Sequence, residues 1–94
     1  MLTVLEAIMS KIIKVKFGLA WKRAVHVCIR DAICERIPGP DAALVCLQKR
    51  WPPLRGAQYF LAREACLDAI YRSAAPIISR EKFVAASIEA GVLA

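Results

Sequence analysis

Residues 24–37 run "AVHVCIRDAICERI", and what this stretch folds into decides the architecture. It is rich in β-branched residues and interrupted near its middle by the polar Arg30-Asp31, which suits two short strands and a turn. With residues 30–32 as a three-residue connection, Ile29 stands opposite Ile33 and Val25 opposite Ile37 on one face. On the other face Cys28 stands opposite Cys34, and His26 opposite Arg36. One face is oily and the other mixed, so this hairpin needs cover on one side. Glu35 is the polar intruder on the side to be covered.

The cover follows in the chain. "GPDAALVCLQKRW" (39–51) opens with helix-start signals: Gly39 as cap, Pro40 where a missing N–H costs nothing, and Asp41 near the positive end of the dipole. Ala43, Leu44, Leu47 and Trp51 then form one stripe. Lys49 and Arg50 suit the negative end, and Pro52-Pro53 stop the helix. From Ala57 to about Ser73, Tyr59, Ala62, Ala65, Cys66, Ala69 and Ile70 cover a broad arc, leaving Glu64, Asp68 and Arg72 as a narrow polar face. Such an arc predicts a central helix packed on two sides. Arg63 falls inside it, where a lone charge is costly, and an ion pair with Glu35 would account for both intruders. A last helix is expected from Ser79 as cap, with Ile78 and Phe83 as a hydrophobic staple, to Gly91.

Upstream, Leu2, Leu5, Ile8, Met9, Ile12 and Ile13 recur at helical spacing, and Val15, Phe17, Leu19 and Trp21 alternate like a strand. The expected fold is therefore α+β: a β-hairpin, or three strands if Val15–Trp21 joins, packed against three helices, with an N-terminal amphipathic helical arm. Residues 1–23 form the basic arm and residues 24–94 a single domain, with no internal repeat and no low-complexity stretch. Ninety-four residues hold one core, and a domain this small gains from oligomerisation.

Charge and composition narrow the function. Lys11, Lys14, Lys16, Lys22 and Arg23 against Glu6 place most of the net charge of +6 in the arm. Charges at Glu6, Lys11, Lys14 and Lys16 break the longest apolar run, so no transmembrane span is expected, and no secretory signal precedes it. A cytoplasmic protein is the expectation. Cys28, Cys34, Cys46 and Cys66 form no Cys-x-x-Cys pair, which argues against a metal, and no cofactor is expected. The opposed Cys28 and Cys34 can oxidise in vitro, while a reducing compartment would keep them as thiols. His26, the sole histidine, sits on a strand, and no nucleophile elbow is present, so an enzyme is not expected.

Two readings of function remain. The first is a non-enzymatic interaction or regulatory module whose small, open-edged sheet favours a homodimer or a protein partner. The second is a nucleic-acid-binding accessory protein, with Lys14, Lys16, Lys22 and Arg23 on phosphates and Trp21 stacking on a base. Attachment of the Met1–Lys14 helix to an acidic membrane surface is a further use of the arm.

Pro40, Ala43, Leu44, Leu47, Trp51, Pro52 and Gly56, then Cys66-Leu67-Asp68-Ala69, then "FVAASIEAGV" at Phe83–Val92 together resemble a family of small bacterial proteins, domain of unknown function 982. The resemblance covers about residues 24–92, with Trp51, Pro52, Gly56 and Cys66 as its fingerprint. It implies a small α+β domain and carries no ligand or activity with it. Ser87, where the family commonly has alanine, is a departure, and residues 1–23 lie outside the shared region.

Overall fold

In the computed structural model, which describes residues 19–29, 33–53 and 55–94, the hairpin has the expected register. β1 (Val25–Ile29) and β2 (Ile33–Ile37) pair antiparallel, from Val25 opposite Ile37 to Ile29 opposite Ile33. Val25, Val27 and Ile37 are buried, while His26, Cys34 and Arg36 on the opposite face are exposed. Three helices follow, α1 (Pro40–Lys49), α2 (Ala57–Tyr71) and α3 (Pro76–Glu89), and α3 packs against β1 on the oily face. α2 packs against both α1 and α3, the two-sided burial that its broad apolar arc requires. The Tyr59 hydroxyl donates to the Leu47 carbonyl at 3.2 Å and ties α2 to α1.

A further partner for β1 comes from the C-terminal end of the chain, where no strand was expected. Leu19–Trp21 is irregular, with the Trp21 N–H donating to the Pro38 carbonyl at 2.7 Å, and Val15–Gly18 and the Met1–Lys14 arm lie outside the described residues. Instead the C-terminal residues lie along the outer edge of β1. The Cys28 N–H donates to the Val92 carbonyl, the Ala94 N–H to the His26 carbonyl, and Val27 and Leu93 form a single bridge. The turn that delivers them is a Schellman motif. Gly91 adopts φ 71°, a conformation that only glycine takes without strain, and the Val92 N–H reaches back to the Ser87 carbonyl.

The core is organised around Phe83, whose ring lies 5.8 Å from Trp21 and 5.6 Å from Trp51. Two expectations change here. α3 starts at Pro76, three residues before Ser79, because proline is pre-shaped for the first helical turn. Ser79 is therefore a buried residue of the first turn and not a cap: its hydroxyl donates to the Pro76 carbonyl and accepts from Trp21 Nε1 at 3.1 Å. Ile78 is exposed, so it staples nothing. Ser87 is buried with its hydroxyl donating to the Phe83 carbonyl at 2.8 Å, which satisfies this polar group inside the core.

α2 begins without a side-chain cap of its own, since its N-cap is Gly56. The capping carboxylate comes from the far end of α3: Glu89 accepts from the Gln58 N–H at 3.2 Å and the Tyr59 N–H at 3.3 Å. A Cβ on Gly56 would stand 2.6 Å from this carboxylate, so the glycine makes room for the cap. The same bond shows that α2 and α3 run antiparallel.

Candidate functional site

The residues expected to contact nucleic acid separate. Lys14 and Lys16 lie outside the described residues, and Lys22 and Arg23 are exposed. Trp21 is 7% exposed and belongs to the core, so its ring is not available for base stacking. This burial carries the packed domain back beyond residue 24. Arg80 adds to the two exposed cations, its Nε donating to the Arg23 carbonyl at 2.9 Å. Beside them an open groove of about 440 Å³ is lined by Ala20, Trp21, Lys22, Pro76 and Ile77.

The expected Glu35–Arg63 pair is not formed. Glu35 is held by Arg50, at 2.7 Å between Oε1 and a guanidinium nitrogen and 2.9 Å between Oε2 and Nε, while Arg63 is exposed on α2. The C-terminal turn of α1 ends against the hairpin and brings Arg50 within bidentate reach. Half-exposed as it is, the pair contributes little stability and mainly neutralises the rim of the core.

The fingerprint residues are structural. Trp51 closes the core beside Phe83, Gly56 admits the Glu89 carboxylate, and Cys66 is fully buried in α2. Burial, with Asp41 adding to it, pushes the Cys66 thiol up to about 12, and burial, then Glu35, pushes Cys46 up to about 11. Cys28 and Cys34, expected as thiols, are joined as a disulfide, because the register places them directly opposite each other. Among the described residues, no group of three or more His, Cys, Asp or Glu side chains could hold a metal ion.

The surface that stands out lies on the solvent side of the α2–α3 pair. Phe60 (55% exposed) and Tyr71 (53%) lie on one face of α2, and Ile77 (54%) and Ile88 (62%) on one face of α3. Half-buried Leu67 and Val84 lie between them. The two helices repeat one pattern. Phe60-Leu61-Ala62-Arg63-Glu64 corresponds to Ile77-Ile78-Ser79-Arg80-Glu81, then Cys66 to Phe83, Leu67 to Val84, Ala69 to Ala86 and Tyr71 to Ile88. Equivalent positions are equivalently buried: Ala62 and Ser79, Cys66 and Phe83, Ala69 and Ala86. This near-repeat, overlooked when the helices are read one at a time, was visible in the twin Arg-Glu dipeptides.

A two-stranded hairpin and three helices, with an antiparallel helix pair presenting apolar side chains to solvent, define a small α+β domain. The model of a family described as "Protein of unknown function (DUF982)" matches residues 23–94, and the chain belongs to that family. No curated protein and no solved structure matches it. No helix among the described residues is long and apolar enough to cross a membrane.

Proposed function

We propose that this domain is a non-enzymatic interaction or regulatory module of the cytoplasm, and that it self-associates through the outer face of α2 and α3. The observation that carries the reading is the set of four large apolar side chains, each more than half exposed, at matched positions on the two helices. Solvated apolar groups clustered in this way mark contact surfaces. The occupant is a second copy because the face is self-complementary in charge. Arg63-Glu64 lies within the α2 stripe, with Arg72 on Glu64 at 3.0 Å, and Arg80-Glu81 lies within the α3 stripe, with Arg80 Nε on the Arg23 carbonyl. A two-fold axis can therefore set arginine against glutamate at both places while the apolar ends meet.

Sedimentation equilibrium of the full chain tests this. The expected result is a dimer that Phe60→Asp with Ile88→Asp converts to a monomer of unchanged circular dichroism. A wild-type chain that stays monomeric at the highest attainable concentration sinks the reading. Nucleic-acid binding is the second reading, favoured by the arrival of Arg80 beside Lys22-Arg23. It requires retention on DNA or RNA that falls steeply with salt and with Lys22→Ala, Arg23→Ala.

A further inference from the structure

The four cysteines divide into two chemical classes. Cys46 and Cys66 are buried, and burial holds their thiols in the unreactive protonated form. Cys28 and Cys34 lie on the face of the hairpin turned away from the helices, Cys34 exposed and Cys28 half-buried. They occupy a position where the strands' hydrogen bonds point apart: the Cys28 N–H donates outward to Val92, away from β2. Opposed side chains approach most closely at such positions, and here the Cα atoms are 4.0 Å apart. The adjoining cross-strand pair on this face is His26 opposite Arg36, both exposed. An exposed disulfide beside a fixed positive charge draws in anionic thiols and stabilises the thiolates that its cleavage releases.

We infer that Cys28–Cys34 is a thiol–disulfide exchange site for small anionic thiols of the glutathione class, with Cys34 the sulfur attacked. A thiolate RS⁻ bonds to Cys34 Sγ as the Sγ–Sγ bond breaks, and Cys28 leaves as a thiolate that takes a proton from water. A second RS⁻ attacks the R-bearing sulfur of this mixed disulfide, forms RSSR and releases Cys34 as a thiolate, which is protonated in turn. The protein gains two electrons and two protons, and two RSH become one RSSR. Glutathione disulfide drives the reverse course. This chemistry is independent of the proposed self-association.

The test equilibrates the full chain in buffers of varied glutathione to glutathione disulfide ratio, then alkylates the native protein and maps the adducts by mass. Cys28 and Cys34 are expected to become labelled together, in one two-electron transition within the range of the glutathione couple, with Cys46 and Cys66 unlabelled. In Cys28→Ser, glutathione disulfide is expected to leave one glutathione on Cys34. Arg36→Glu should slow reduction by glutathione about threefold while leaving reduction by the neutral 2-mercaptoethanol unchanged. A pair that stays unlabelled at every ratio until the protein is denatured overturns the inference. So does a rate with glutathione that is indifferent to Arg36→Glu.

Discussion

Gly56→Ala and Glu89→Ala should each destabilise the domain, and the two together should cost scarcely more than one alone. Glu89 gives the first turn of α2 its only side-chain cap among the described residues, through two N–H groups at 3.2 and 3.3 Å. Loss of a helix cap costs about 1 kcal/mol, and loss of a carboxylate at the positive end of the dipole a further ~0.5 kcal/mol. Glu89 also ends its own helix, where a negative charge is unfavourable, so a net of about 1 kcal/mol is the better figure. Alanine at 56 acts through the same group. Its Cβ would meet the Glu89 carboxylate at 2.6 Å, while the backbone there, at φ −88°, suits any residue. The carboxylate must swing away, and the cap is lost with it. Once Glu89 has gone there is nothing to displace, and Gly56→Ala then costs only a few tenths of a kcal/mol. Urea unfolding of the four proteins gives the coupling directly, expected near 1 kcal/mol, with single-variant midpoints lowered by roughly 4–8 °C in thermal melts. Additive costs would refute the argument that the glycine is there for the glutamate.

Two other outcomes follow. Cys46 and Cys66 keep their protons in the folded chain to about 11 and about 12, against 9.0 ordinarily, so their contribution is intact below pH 9 and lost as pH climbs toward those values. Between pH 8 and 10 the wild type should lose about 2 kcal/mol more than Cys46→Ala with Cys66→Ala, measured by urea unfolding at each pH; parallel losses would contradict it. Gly91→Ala should cost about 1 kcal/mol with no steric contribution, since the space around its Cβ position is open. It should also speed amide exchange at Cys28, whose N–H is held by the tail that Gly91 turns; unchanged exchange would show that the tail docks without the turn.

The hairpin was legible because its information is local. Alternation, β-branching and a three-residue break set the register of residues 25–37 without reference to the rest of the chain. The α1 corner was equally legible, since Pro40 and Pro52-Pro53 bracket it with backbone constraints. What escaped was whatever depends on how elements meet. Glu35 had several arginines to choose from, and only the docking of the helix end on the hairpin selects Arg50 over Arg63. Trp21 looked like part of a basic arm because its neighbours are Lys22 and Arg23, yet its indole N–H finds Ser79 far along the chain. Ser79 misled for the same reason. A serine at the start of an apolar run suggests a cap, but Pro76 had already begun the helix. The α2–α3 pairing is a different case, because the repeated pattern lay in the sequence and burial made it visible.

Phe83 has an optical consequence. The chain holds two tryptophans, and each places its ring within 6 Å of this one phenylalanine. Intrinsic emission therefore does not average over the molecule. Both fluorophores watch a single ring, one from the segment before β1 and the other from the corner after α1. A shift in the spectrum marks the opening of that junction, and a domain whose edges loosen while Phe83 stays in place will keep its native colour.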